Sequence, residues 1–463
     1  MAVNDQRDRR LARIEDLRSA GSDPYPSSFE VDADVTTVRG RFRDLAPDTV
    51  TDERVRMVGR VMLVRHHGGI GFITLQQGGD RIQVVLERDR IGPERLDRLR
   101  LIDRGDVVGI EGVVGTSRSG ELSVFLESAQ LLAASLRPSP DKHRGPTSSE
   151  IRLREREVDL YANDESRRTF EVRSSATLAL RDELHARDFI EVETPVFSIE
   201  AGGAAAKPFV THHNALGIDL HLRVAPELYL KRLVVGGFDR VFEVARVFRN
   251  EGIDTRHNPE FTMLEVYQAP ADYLVMMQLV QDLVVAAAKA SIGSTTVGVG
   301  GLDVDLATPW RRATMSDLTE EVTGVRIDAS MEIDAARAAL DSIGVPWEPA
   351  WGAGKCLQAA FDARVEKTLI APTIVMDHPV ETSPLARRHR DDPTLTERFE
   401  VIVGGVELAN AYSELNDPVE QRRRFEREQR RRERGDVEAN VVDEDFLRAL
   451  EAGMPPTGGL GIG

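Results

Sequence analysis

Apolar and polar residues alternate along this chain with two periods, and the switches between them mark its parts. Asp8–Ser19 has the helical period and leads into a connector rich in Pro, Ser and Asp, through Asp23, Pro24 and Pro26. Val55–Val64, Gly71–Leu75, Arg81–Glu87, Val107–Val114 and Glu121–Leu132 read as five short strands with glycine-containing turns, and a helix is expected at Pro93–Leu99. Pro138, Pro140 and Pro146 then interrupt a charged stretch that ends in an Arg/Glu helix near Ile151–Tyr161. From Ser166 onward the pattern predicts an amphipathic helix over Phe170–Arg187 and a strand over Phe189–Thr194 stopped by Pro195. A second helix follows over Tyr273–Ala290, then a mostly helical segment over Met315–Ala360. Gln421–Arg434 is helical with dense mixed charge, the pattern of a solvated face. The expected domains are an N-terminal extension (1–54), a β-rich domain (55–137), a linker (138–165) and a larger domain (166–463).

Two places in the larger domain combine alternation with charge. Val241–Arg249 puts Glu243, Ala245, Val247 and Arg249 on one face, and Phe261–Tyr267 puts Phe261, Met263, Glu265 and Tyr267 on one face. Asn250, Gly252, Asp254, Asn258 and Pro259 supply the turn between them. The pair carries arginine, carboxylate and aromatic groups toward one place, although a surface hairpin laced with ion pairs has the same pattern. In the second place, Gly404–Gly405 makes a two-residue hairpin turn. Pairing Val403 with Val406 puts Glu400, Ile402 and Glu407 on one face, with the two carboxylates diagonal across the ladder. Like charges that close repel unless a cation lies between them, and hard divalent ions prefer carboxylate oxygens. Simple alternation sends Asn410, Tyr412 and Glu414 to the opposite face from Glu407. A single site using all five residues requires a bulge or twist near Leu408–Ala409.

Composition narrows the function classes. A chain of 463 residues exceeds one usual core, so two or three domains are expected. The single cysteine, Cys356, excludes an internal disulfide and a multi-cysteine metal site and fits a reducing, cytoplasmic setting. The charged start MAVNDQRDRRLARIEDL is expected to be helical rather than a signal peptide, and no apolar run is expected to reach the ~18–20 residues that span a bilayer. A net charge of −17 leaves nucleic acid open as a partner, because phosphate is bound by local basic patches.

FRNEG followed by RHNPEFT, within Arg246–Tyr267, resembles the second signature motif of the class II aminoacyl-tRNA synthetases in their lysyl form (class IIb). FIEVETP resembles the first motif, which builds a dimer interface, and GFITLQQGGDRIQVVL resembles the anticodon-binding OB-fold of the lysyl, aspartyl and asparaginyl enzymes. The family often has Asp where Gln77 stands. The resemblance implies an α+β fold: an antiparallel catalytic sheet with flanking helices, plus an N-terminal OB-fold barrel.

It further implies ATP-dependent ligation of L-lysine to tRNA(Lys) through a lysyl-adenylate, with release of AMP and pyrophosphate, by a homodimer that binds Mg²⁺ and no membrane. Such chemistry needs positioning and charge stabilisation at phosphorus rather than a catalytic triad. By the resemblance, Arg249 is the catalytic arginine on the α-phosphate and substrate carboxylate, a task suited to its fork of donors. Glu251, His257, Asn258 and Phe261 complete the ATP site, with Phe261 stacking on adenine. Gly203, Glu227, Glu265, Tyr267, Asn410, Tyr412 and Glu414 line the lysine site, and Glu400 and Glu407 hold the metal. Acids suit a lysine ammonium, whereas an aspartyl enzyme would need cations. In the barrel, Arg65, Phe72, Gln83 and Glu121 bind the anticodon, with Phe72 as the stacking platform.

One departure bears on activity. GMPPTGGLGIG, ending at Gly463, resembles the start of the third motif, which in the family continues into a helix whose arginine clamps the γ-phosphate. The expectation is a truncated form that is impaired as written. The alternatives are a non-catalytic tRNA-binding paralogue, a lysine ligase acting on protein, and an aspartyl or asparaginyl enzyme.

Overall fold

A computed structural model describes residues 2–93, 99, 102–137, 148–200, 202–204, 206–254, 257–434 and 441–463. Most of the helix expected at Pro93–Leu99, the proline-rich part of the linker and Arg256 lie outside these residues. The chain forms two compact units, Met1–Glu171 and Val172–Gly463.

The first unit is built on a closed five-stranded barrel. Its strands run in the order Val50–His67, Ile70–Gln77, Asp80–Glu87, Leu122–Ala133, Val107–Thr116. The Asp80–Glu87 and Leu122–Ala133 strands close it in parallel, and the other pairs are antiparallel. Alternation sends Ile73, Leu75, Ile82, Val84, Leu86, Val124 and Leu126 into the core. The N-terminal helix, Ala2–Ser19, docks through Arg13, which reaches both oxygens of buried Asp106 at 2.8 and 2.9 Å. An unforeseen short helix, Val35–Arg41, is capped by Asp34, and Oε1 of Gln77 accepts the Val35 N–H at 3.0 Å. The single helix expected over Ile151–Tyr161 is instead two, Ser149–Arg154 and Arg156–Ala162, broken at Glu155 by its ψ of 55°.

The second unit centres on an eight-stranded sheet. Its order is Arg311–Thr314, Thr373–Met376, Arg398–Val403, Val406–Ser413, Gly458–Ile462, Glu260–Gln268, Arg240–Phe248, Ile190–Glu191. The strands are antiparallel except for a parallel pair at each edge. One face, with Phe242, Leu264, Val266, Phe399, Val401, Ala409, Ala411, Leu460 and Ile462, packs against helix Tyr273–Ile292. By length and composition that helix could cross a membrane, contrary to the expectation of no such run. Its Met276, Met277, Val280 and Leu283 are instead buried against the sheet. Of the strand expected over Phe189–Thr194, only Ile190–Glu191 pairs. The expected helical segment is three helices, Met315–Thr323, Ile333–Ser342 and Ala353–Arg364, whose core reaches the sheet at Val375 and Ile402. The opposite face of the sheet remains, and the charged side chains gather there.

Candidate functional site

Strand pairing lays the charged residues out in rows. Glu243 stands opposite Glu265, Glu265 opposite Gly461, Gly461 opposite Asn410, and Asn410 opposite Glu400. The next row runs Val241, Tyr267, Gly459, Tyr412, Arg398. Directly paired residues share a face, so Glu265, Tyr267, Asn410, Tyr412 and Glu400 all look out of the same side of the sheet.

Glu407 joins them through a bulge. Gly404 and Gly405, at φ 63° and 70°, make the two-residue turn that pairs Val403 with Val406. Ile402 then pairs with Glu407 and Val401 with Ala409, so Leu408 is the additional residue in its strand. This slip is the one that a shared site required.

The acid cluster sits where helix Glu227–Val235 packs over the sheet. Glu227, at the helix start, suits the positive end of the helix dipole, and Lys231 lies one turn further on. Its ammonium is fully buried, 2.5 Å from Oε1 of Glu227 and 2.5 Å from Oε2 of Glu414. Tyr412 donates to Oε1 of Glu227 at 2.8 Å, and Tyr267 donates to Oε2 of Glu265 at 3.0 Å. Among the described residues Oε2 of Glu227 and Oε1 of Glu265 accept no hydrogen bond, and buried Glu414 accepts none at either oxygen, its Oε2 being held by the Lys231 ion pair alone. Gly203, at φ 93°, closes this end, where a Cβ would lie 3.4 Å from those of Ala225 and Glu227.

Burial, followed by the charge of Glu227, raises the Glu265 carboxyl to about 8. Burial also drives Glu414 well above the usual carboxylate range, against the pull of Lys231. Burial works to lower the Lys231 ammonium, but Glu227 and Glu414 outweigh it and leave the group raised. The glycines of strand Gly458–Ile462 keep the floor low. A Cβ on Gly459 would overlap the Glu414 carboxylate, and one on Gly461 would meet nothing nearer than Met263 Cε at 3.4 Å.

Arg249 lies one residue past its strand, which ends at Phe248 rather than at Arg249 as expected. Its N–H bonds the Pro259 carbonyl at 2.8 Å, and proline has no N–H to return, so the ladder stops. The guanidinium donates to the Val224 carbonyl at 3.4 Å, lies over the Phe261 ring and pulls weakly against the rise of both the Glu265 and the Glu407 carboxyl. Glu251, His257 and Asn258 are exposed on the loop, where His257 pairs with Asp254 at 2.7 Å and Asn258 donates to the Glu260 carbonyl.

At the other end, Glu400 is buried and bonds Arg398 at 2.6 Å. Burial works to raise its carboxyl, but His378 and Arg398 hold it low. Glu407 stays open to water along the cleft, while the enclosing protein and then Glu400 raise its carboxyl to about 7. Arg398 also donates to Oδ1 of Asn410 at 3.1 Å.

Sequence reasoning missed Lys231 and Arg398. The i,i+4 spacing in ELYLKR and the alternation of Arg398 with Glu400 were the available signals. It also missed Arg223, which joins Thr194 and, at 2.7 Å, Glu243 at the end of the row that carries Glu265.

In the barrel, Phe72 is outside the core, half-buried on the outer face, with the exposed Arg65 paired opposite and its guanidinium 5.8 Å from the ring centroid. Gln83 pairs with Thr74 one row away and donates to Oγ of Ser123 at 3.0 Å. That hydroxyl donates to the carbonyl of Glu121, whose side chain is exposed.

Residues 148–463 match the family of tRNA synthetases class II (D, K and N), and residues 55–132 match the OB-fold nucleic acid binding domain family. The chain is 46% identical over 462 residues to the lysine–tRNA ligase of Moorella thermoacetica, covering 100% of this chain and 94% of that protein. It is 46% identical over 472 residues to the lysine–tRNA ligase of Nostoc punctiforme, with 100% and 84% covered. The lysine–tRNA ligase of Synechococcus sp. is also 46% identical, over 462 residues, with 100% and 94% covered.

Proposed function

The chain belongs to the class II tRNA synthetases of the D, K and N group, and from that membership we propose that it ligates L-lysine to tRNA(Lys) through a lysyl-adenylate. The observation that carries the choice of amino acid is the cluster of Glu227, Glu265 and Glu414, each with an uncommitted oxygen. An unpaired buried charge is costly, so three acids accept ammonium groups and repel the side chain of aspartate.

Lysine lies over the floor of Gly459 and Gly461, with Gly203, Tyr267, Asn410 and Tyr412 as walls. Its carboxylate attacks the α-phosphorus of ATP. The new oxygen–phosphorus bond forms as the bond to the β-phosphate oxygen breaks, and pyrophosphate leaves. The nucleophile is already ionised, so no general base is needed. Arg249 grips the carboxylate and the α-phosphate together, its side chain held over the Phe261 ring. Phe261 stacks on adenine, and Glu251, His257 and Asn258 face the nucleotide from the loop. The terminal ribose hydroxyl of tRNA then attacks the carbonyl carbon, the bond from that carbon to the phosphate oxygen breaks, and AMP leaves carrying away the hydroxyl proton.

Glu400 and Glu407, two carboxylates close enough for the charge of one to raise the other, would hold a magnesium ion, which would supply neutralisation of phosphate charge. The barrel stacks an anticodon base on Phe72, with Arg65, Gln83 and Glu121 beside it. A second copy of the chain covers exposed apolar groups such as Phe197, Val210 and Ile218. A non-catalytic paralogue draws no support from the relatives, which are lysine–tRNA ligases.

ATP–pyrophosphate exchange tests the reading. Exchange with lysine and none with aspartate or asparagine is expected, followed by transfer to tRNA(Lys). Exchange driven by aspartate would overturn it.

A further inference from the structure

Three carboxylates surround the pocket, yet one of their partners is already a cation belonging to the protein. Lys231 is fully buried, and its ammonium also lies 5.5 Å from the Tyr412 ring centroid and 5.9 Å from that of Phe446. Its neighbours Leu228, Leu230, Val234, Phe446 and Leu447 form an apolar cluster in which methionine would pack as well. A buried ion pair is poor evidence of stability, because an apolar replacement of the whole pair is often neutral or better. The charge therefore calls for another account than packing.

Resting on the reading that this pocket binds lysine, we infer that Lys231 is the pocket's resident counter-ion. It is a positioning residue that fixes Glu227 and Glu414 and sets how many ammonium groups the site accepts. Once all three acids are ionised, as they must be to pair with ammonium groups, one internal ammonium leaves two negative charges, the number of ammonium groups on free lysine. The geometry agrees with the count. Lys231 and Tyr412 both take Oε1 of Glu227, Lys231 takes Oε2 of Glu414, and Tyr267 takes Oε2 of Glu265. The inward oxygens are consumed and one oxygen of each acid is left for the ligand.

The charged and titratable groups facing the ammonium are Glu227 from its own helix, Glu265 and Tyr267 from one strand, Tyr412 from another and Glu414 just past that strand's end; Arg249 lies beyond Glu265. A neutral isostere of lysine, with one ammonium, leaves a buried negative charge unmatched. Without Lys231 the site lacks a third cation that lysine does not carry.

The test uses the full chain carrying Lys231→Met, nearly isosteric, and Lys231→Ala, which opens a space. ATP–pyrophosphate exchange is measured against lysine, and thermal melts check that both variants are folded. In Lys231→Met the KM for lysine should rise at least about tenfold, while kcat and the KM for ATP stay within about threefold. In Lys231→Ala, added ethylammonium should lower the KM for lysine toward the parent value, and ethanol of similar size should not. An unchanged KM in Lys231→Met, or equal rescue by ethanol, would mean Lys231 only fills space. A lowered KM would mean it competes with the substrate. Either result overturns the inference. Failure of the parent chain to exchange with lysine at all would instead defeat the underlying reading.

Discussion

The guanidinium carbon of Arg249 lies 5.1 Å from the centroid of the Phe261 ring. Such a contact limits the conformations of a long side chain and aims its fork before any nucleotide arrives. Arg249→Lys keeps the charge and loses the fork. Pyrophosphate exchange should fall by about 10²–10³, the cost of a lost transition-state donor of ~2.7–4 kcal/mol. A loss under tenfold would show that charge alone suffices there.

Gly459 and Gly461 should fail in different ways when enlarged. A methyl on Gly459 overlaps the protein's own Glu414 carboxylate and comes 2.8 Å from Cε1 of Tyr267. Gly459→Ala should therefore lower the melting temperature of the empty protein and raise the KM for lysine. A methyl on Gly461 meets Met263 Cε at 3.4 Å and the Asn410 carbonyl at 3.8 Å, with nothing nearer, and projects over the site floor. Gly461→Ala should melt almost as the parent does and still weaken substrate binding. Equal melting losses in both variants would contradict this division.

Much of this arrangement was legible because it is local. A Gly-Gly turn dictates its own pairing, so Val403 opposite Val406 followed at once. The bulge at Leu408 was legible only as a condition, since a two-residue period cannot say where a strand slips. Lys231 was hidden for another reason. Glu followed four residues later by Lys is a common solvent-exposed pairing on helices, and what buries this pair is Tyr412 and Phe446, contributed from far along the chain. The end of the Arg249 strand depended on its partner being Pro259. Helix Tyr273–Ile292 defeated an apolar-run criterion, because its length and its polar Gln281, which accepts the Trp310 N–H, became meaningful only once the sheet lay against it.

Phe72 offers a test confined to the barrel. Its ring is on the outer face, and Arg65 lies above it. Phe72→Leu keeps the bulk and removes the aromatic face, which is worth ~1–3 kcal/mol per stacked base. The KM for tRNA(Lys) in aminoacylation should rise about fivefold to a hundredfold, while tRNA-free pyrophosphate exchange stays at the parent rate. A matching fall in exchange would mean that the substitution damaged folding rather than recognition.

Lysine binding should depend on pH through the acids that receive it. In the empty site Glu265 keeps its proton up to about 8, because burial and the charge of Glu227 oppose ionisation. Below that value the proton must leave before an ammonium can pair, so apparent affinity should fall about tenfold per unit as pH drops from 8 toward 6. Glu414, raised for the same reason, steepens the slope. The stability of the empty protein follows the opposite sign. Glu265 holds a proton that the unfolded chain has already lost between about 4.5 and 8, so its contribution to folding is present at low pH and fades as pH rises through that window. Bound lysine supplies the missing positive charge, so the rise in melting temperature that it causes should be larger at pH 8.5 than at pH 6. Calorimetry at pH 7 in buffers of different ionisation enthalpy should find protons released with each lysine bound. In Glu265→Gln that release should shrink and the affinity should weaken; unchanged release in that variant would exclude Glu265 as its source.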